Sequence, residues 1–185
     1  MQVKGTILLD LVRIIRSEKE KNWQPHLQPQ DWEVINGHVV TSAWYPGDLF
    51  YRLSYAVYKV SGHSDLDVCF AYGRFTGGNV IKLYKNILVI GDPETSVNRF
   101  IARRKLFFGG EYADAEIGRA TFGNGWLKFQ YTVADPAARG REVATVVAYS
   151  VAGGLHELVE RTGVDSVRTN ITEKNQAFEI YITWT

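Results

Sequence analysis

The side chains able to do chemistry in this chain are few and far apart. Its histidines stand at positions 26, 38, 63 and 156, and its one cysteine is Cys69. None of them has the His-x3-His or Cys-x2-Cys spacing that puts two donors on one metal ion, so no metal site is expected. His156 and Glu160 are one helical turn apart, the spacing of an exposed helix pair. Cys69 lies on an apolar stripe with no histidine nearby in sequence, and reads as a small packed hydrophobe, with a reactive thiol as the sharper alternative. Two carboxylate pairs stand out, Asp65 with Asp67 and Asp114 with Glu116. The first suits a helix N-terminus, where the dipole favours anions. The second shares a strand face and is expected to meet Lys128 or Arg168 across a sheet. The double glycines at 77–78, 109–110 and 153–154 match neither a P-loop nor a dinucleotide fingerprint. These residues predict no catalytic centre and no cofactor, and a binding or regulatory protein rather than an enzyme.

Composition agrees with that reading. A chain of 185 residues with 45% hydrophobic content is expected to form one domain around its own core, residues 1–185. Net charge is +1 and the only basic run is Arg103-Arg104-Lys105, which reads as a solvated helix face, so nucleic acid is not an expected partner. A lone cysteine excludes an internal disulfide and fits a reducing compartment. Asp10 and Arg13 interrupt the N-terminus too early for a signal-peptide core, and no apolar run approaches a membrane span. A cytoplasmic location is the expectation. Five Trp, ten Tyr and nine Phe exceed what a minimal core needs. They either build a large aromatic core or line a pocket or contact surface.

The elements that must position these groups fall into two halves. Residues 1–108 carry helical spacing. Ile7, Leu8, Leu11, Ile14 and Ile15 predict a helix over about Lys4 to Lys21. A short helix over about Gln30 to Asn36 follows. Pro46 fits the first position of a third helix ending at Gly62, with Leu49, Phe50, Leu53, Val57 and Val60 as its stripe. Ser64 to Asp67 reads as a weak capping box opening a helix that Gly77-Gly78 kinks or ends. Further helices are predicted over about Val80 to Val89 and from Asp92-Pro93 to about Phe108.

At Gly109-Gly110 the period changes to two. Ala113, Ala115 and Ile117 predict a strand, Gly123-Asn124-Gly125 a hairpin, and Leu127, Phe129, Tyr131 and Val133 the buried face of the returning strand. Asp135-Pro136 is expected to cap a long helix from about Ala137 to Thr162, stopped by Gly163. Strands bearing Val167, Thr169 and Ile171, then Phe178, Ile180, Ile182 and Trp184, complete the pattern around a turn at 173–176. The predicted class is α+β: an N-terminal helical half followed by a ββαββ four-stranded antiparallel sheet, residues 109–185, with the long helix packed on one face. Thr145, Ala148, Tyr149, Ala152 and His156 make the back of that helix less polar than an exposed face should be. They predict a second contact, either with the N-terminal helices or across a protein interface such as a homodimer.

Several short motifs resemble a known family. Val3-Lys4-Gly5-Thr6-Ile7-Leu8-Leu9 looks like the start of haem–nitric-oxide-binding-like domains. Trp44-Tyr45-Pro46 followed by Leu49-Phe50-Tyr51-Arg52-Leu53, then Tyr72-Gly73-Arg74-Phe75 and Phe107-Phe108-Gly109-Gly110-Glu111, resemble a related group of uncharacterised bacterial proteins. That group shares its fold with vinyl-reductase-like domains and with Golgi transport-particle subunits. The departures are informative. The resemblance implies an axial histidine in the later helical region, yet none falls between Ser64 and Leu155, and the Tyr-x-Ser-x-Arg propionate clamp is missing. Iron would have no protein anchor, so a haem-free relative is expected. Where vinyl-reductase-like domains often carry a cysteine near the last strand, residues 175–179 read Asn-Gln-Ala-Phe-Glu. Some trafficking relatives carry a fatty acyl group, which extends the alternative for Cys69 to acylation.

Two functions follow as expectations. The first is a non-enzymatic signalling, regulatory or scaffold protein acting through protein–protein contacts. The second is a sensor domain holding a small apolar ligand between the helical half and the sheet. The resemblance implies that Trp44, Tyr45, Phe50, Cys69, Phe70 and Phe75 line that cavity, unless the rings fill the space themselves.

Overall fold

The computed structural model describes residues 1–110, 118–132, 139–174 and 177–185. Helices α1 (Gly5–Ser17), α2 (Pro29–Asn36), α3 (Gly47–Val60), α4 (Leu66–Leu83) and α5 (Pro93–Arg103) precede the main sheet. Strands β4 (Arg119–Gly123) and β5 (Trp126–Thr132), helix α6 (Arg141–Arg161), and strands β6 (Arg168–Lys174) and β7 (Ala177–Thr183) form the rear. The expected α+β class and the antiparallel ββαββ sheet hold, in strand order β4-β5-β7-β6. The expected strand at Ala113 to Ile117, Val133, the Asp135-Pro136 cap, the Asp114/Glu116 pair and Asn175-Gln176 lie outside the described residues.

The rear is built by alternation. Leu127, Phe129 and Tyr131 on β5, and Phe178, Ile180 and Ile182 on β7, are all buried, while Lys128 pairs with Glu179 at 2.7 Å on the other face. Phe129 faces Ile180 and Leu127 faces Ile182 in the register. Gly125 at φ +72° closes the hairpin and Gly163 at φ +87° ends the run after α6, conformations that a β-carbon disfavours. Helix α6 lies on the apolar face, and Ala148, Ala152, Leu155, Leu158 and Val159 join one buried cluster with the strands.

The front differs from the sequence expectation in several places. A small antiparallel sheet, β2 (Trp44–Pro46), β1 (Gln2–Lys4) and β3 (Phe108–Gly109), joins the N-terminus to the end of the helical half. Pro46 therefore ends a strand and caps α3 rather than opening it, and the Gly47 N–H donates to the Met1 carbonyl at 3.1 Å. Helix α1 stops at Ser17 instead of Lys21, because the chain folds back to bury Trp23, whose indole N–H donates to the Glu18 carbonyl at 2.8 Å. Asp65, not Ser64, caps α4, its carboxylate accepting from the Asp67 N–H at 2.9 Å. Finally, α4 runs straight through Gly77-Gly78 to Leu83, so the separate helix expected over Val80 to Val89 is the last turn of α4 plus a short 3₁₀ turn, Lys85–Ile87. Helix α5 keeps its expected Asp92 cap, which accepts from the Thr95 N–H at 2.8 Å, but ends at Arg103 so that Phe107 can reach β1. There the Phe107 carbonyl accepts from the Lys4 N–H at 2.8 Å.

The glycines of α4 are a packing device. Helices α4 and α6 cross so closely that a β-carbon on Gly73 would overlap the Ser150 carbonyl, and one on Gly153 would overlap the Phe70 carbonyl. A β-carbon on Gly77 would come within 2.9 Å of the Gly154 Cα. Arg74 of α4 bridges Glu157, at 3.0 Å, and Glu160 of α6 along the same seam. Gly73→Ala is expected to cost about 3 kcal/mol through overpacking and to lower the melting midpoint by roughly 6–12 °C for a chain of this size. Gly154→Ala should be tolerated, since its β-carbon meets only the Gly73 carbonyl oxygen, at 3.5 Å. Thermal unfolding of both variants checks the seam, and equal midpoints would contradict it.

Candidate functional site

The helical half and the sheet do not close completely on each other. A cavity of about 140 Å³ remains between them. Ile7 of α1, Phe50 of α3, Phe100 of α5, and Tyr72, Thr76 and Val80 of α4 wall it on the helical side. Phe129 and Tyr131 of β5 and Val147, Ser150 and Val151 of α6 wall it on the other. Phe107, Phe108 and Arg104 close one end, and Gly73, Gly77 and Gly154 contribute bare backbone. The cavity's size is close to that of the roughly 150 Å³ apolar cavities that stay dry and admit benzene or xenon.

The polar groups on this wall are mostly engaged. The Thr76 hydroxyl donates to helix carbonyls, Tyr72 at 3.1 Å and Gly73 at 3.2 Å. The Ser150 hydroxyl donates to the Val146 carbonyl at 3.2 Å. Arg104, expected on a solvated basic face, instead lies at the cavity with its guanidinium 5.4 Å from the Phe108 ring centroid. The Tyr72 hydroxyl is shielded from solvent and has no hydrogen-bond partner among the described residues. Leaving such a group unsatisfied costs about 1–3 kcal/mol. Burial pushes its pKa well above the usual phenol value, with the nearby Asp10 carboxylate adding to the effect. It stays protonated and is a donor.

The residues singled out from sequence are placed differently. Of the six expected to line a cavity, Phe50 does. Trp44 is 40% exposed, with the Lys4 ammonium 4.0 Å from its ring centroid. The Tyr45 hydroxyl accepts from the Val40 N–H at 2.9 Å, and Phe75 is 58% exposed. Phe70 meets the His156 ring edge-on at 5.4 Å. Cys69 packs in a small satellite cluster with Tyr58 and Val146. The back of α6 faces inward as well: Ala148 and Ala152 are in the main core, Tyr149 packs on the Tyr58–Cys69 cluster, and Thr145 donates to the Arg141 carbonyl at 3.0 Å. His156 is buried, with Nδ1 2.9 Å from the Thr169 hydroxyl of β6 and Nε2 4.0 Å from Glu160. Sequence reasoning missed Ile7, Tyr72, Phe100, Arg104, Phe107, Phe129 and Val151. The doubled glycines on two helices were the signal that could have located them.

Among the described residues, no three His, Cys, Asp or Glu side chains converge to hold a metal ion. No helix among them is long and apolar enough to cross a membrane.

No protein-family model matches this chain, and no curated protein matches it. Solved structures do. An Fe(II) unliganded H-NOX protein from K. algicida, in a mutant form, is 13% identical with TM-score 0.67, over 98% of this chain and 96% of that one. An H-NOX protein from S. oneidensis in the Fe(II)NO state is 12% identical with TM-score 0.61, over 98% and 99%. A structure on haem redox potential and porphyrin distortion is 10% identical with TM-score 0.57, over 97% and 99%. The fold is that of H-NOX domains.

The residues present do not fit a haem. Among the described residues, histidine, cysteine and methionine are all missing from the lining of the cavity. A volume of about 140 Å³ is also well below the ~300–1,000 Å³ of pockets for larger ligands.

Cys69 offers a direct check of the packing. Its thiol pKa is pushed up to about 12 by burial, with Asp65 adding to it. Alkylation near neutral pH is expected to be slow in the native protein and fast only in denaturant. Rapid native labelling, followed by mass spectrometry, would contradict this environment.

Proposed function

We propose that this chain is a haem-free ligand-sensing domain whose cavity takes a small apolar molecule between the helical half and the sheet. The carrying observation is the 140 Å³ space walled by Phe50, Phe100, Phe107, Phe108 and Phe129 and contributed by both halves. The fold it shares with H-NOX domains supports a sensor, and the lining chemistry supports an occupant other than an iron porphyrin. An occupant would touch α1, α4 and the end of α5 on one side and β5 and α6 on the other. A molecule that binds one arrangement of the halves better than another shifts their equilibrium by that difference in affinity, which is all that sensing requires. This reading takes precedence over a scaffold built on the back of α6, because Ala148, Ala152 and His156 are buried within the chain.

Titration with benzene, followed by methyl NMR, should give saturable shifts at Ile7, Val80, Val147 and Val151. Val151→Phe, which fills the space, should abolish them. Hemin should form no stoichiometric complex with a defined Soret band. Shifts that never saturate or that survive the filling variant would overturn the cavity reading, and a stoichiometric haem complex would overturn the haem-free one.

A further inference from the structure

An open groove of about 840 Å³ lies on the helical half, between α1, the last turn of α4 and the segment after α5. None of its lining residues belongs to the cavity wall, although one of them, Tyr84, meets Phe107 of that wall edge-on at 5.1 Å. Two features set the groove apart from an ordinary wet surface. The first is apolar. Leu83 is 65% exposed and Leu106 47%, and both line it. Single exposed leucines are normal, but two on one concave wall with a charged rim are the arrangement of a contact site. The second feature is charge. Lys4, Arg13 and Lys82 line the groove against one carboxylate, Asp10. The Asp10 side chain is only 12% exposed and already accepts from Asn79 at 3.1 Å and Arg13 at 3.2 Å. The cations are turned outward. Arg13 is 66% exposed at its side chain, and Lys82 is exposed. The Lys4 ammonium gives one proton to the Ser42 carbonyl at 2.8 Å, which leaves it donors to spare.

We propose that this groove docks an acidic segment of a partner protein, a stretch of chain that lays large aliphatic side chains on Leu83 and Leu106 and presents carboxylates to Lys4, Arg13 and Lys82. Affinity comes from taking the leucines out of water. The cations select the partner and speed the encounter. Charge complementarity decides the occupant. A second copy of this chain, docking through the same patch, would bring like charges together. A nucleic-acid strand would meet aliphatic side chains where it needs rings on which to stack.

The test pans a random peptide library, displayed on phage, against the folded chain. Enriched sequences should combine Asp or Glu with Leu, Ile or Phe. A fluorescein-labelled synthetic copy of the most enriched sequence should bind wild type with an affinity that falls as salt rises. It should bind Lys82→Glu and Leu83→Ala about tenfold more weakly, the scale of one lost anchor. Both positions are exposed, so both variants should unfold at the wild-type midpoint. Neither residue lines the cavity, so both should keep saturable benzene shifts, and failure of the docking surface leaves the cavity reading untouched. A library that yields no binder, enriched peptides that are neutral or basic, or equal binding to all three proteins would overturn the proposal. A wild-type dimer that Leu83→Ala dissolves would overturn it in favour of a second copy. Binding to phosphatidylglycerol vesicles that Lys82→Glu abolishes, with no peptide enriched, would overturn it in favour of a membrane surface.

Discussion

The close passage of α4 over α6 is the constraint on which the rest of the molecule depends. Backbone meets backbone at Gly73–Ser150 and Phe70–Gly153, so neither helix can move outward without losing the contact or inward without collision. Helix α6 is thereby held between the sheet and α4, which makes it apolar on both sides. The Arg74 ion pairs to Glu157 and Glu160 lie along the edge of the seam, where partial exposure keeps their contribution small. Their use is to fix the register of one helix on the other.

The cavity lies beside that seam. Gly73, Gly77 and Gly154 contribute bare backbone to its wall. The neighbouring elements bring large rings to the rim: Phe50 meets Phe108 at 6.0 Å, and Tyr84 supports Phe107 at 5.1 Å. The small β2-β1-β3 sheet ties this rim together, since it joins the chain's start to the segment that follows α5. The occupant proposed for this cavity is smaller and simpler than a porphyrin.

The rear of the molecule was legible in the sequence because period-two alternation at 126–132 and 177–183 coincides with complete burial of one face, and because Gly125 and Gly163 sit where positive φ is needed. The front was legible as helices, but its small sheet was not, since strands of two or three residues show no period. Pro46 carried a helix-start signal that the strand Trp44–Pro46 overrode. The candidate site was the least legible. Its walls come from α1, α3, α4, α5, β5 and α6, and aromatic character alone does not tell a wall from a surface, as Phe75 at 58% exposed shows. Gly77-Gly78 was read as a helix breaker because local propensity says so; the tertiary approach of Gly154 explains why the helix continues. The unsatisfied Tyr72 hydroxyl has no sequence signature at all.

The central claim is that a glycine-lined crossing leaves an open apolar space between the two halves. Crystals pressurised with xenon test it most directly. The account predicts one strong xenon peak bounded by Phe50, Tyr72, Phe129 and Val151. An interior without xenon, in which the phenylalanine rings have closed over the space, would contradict it.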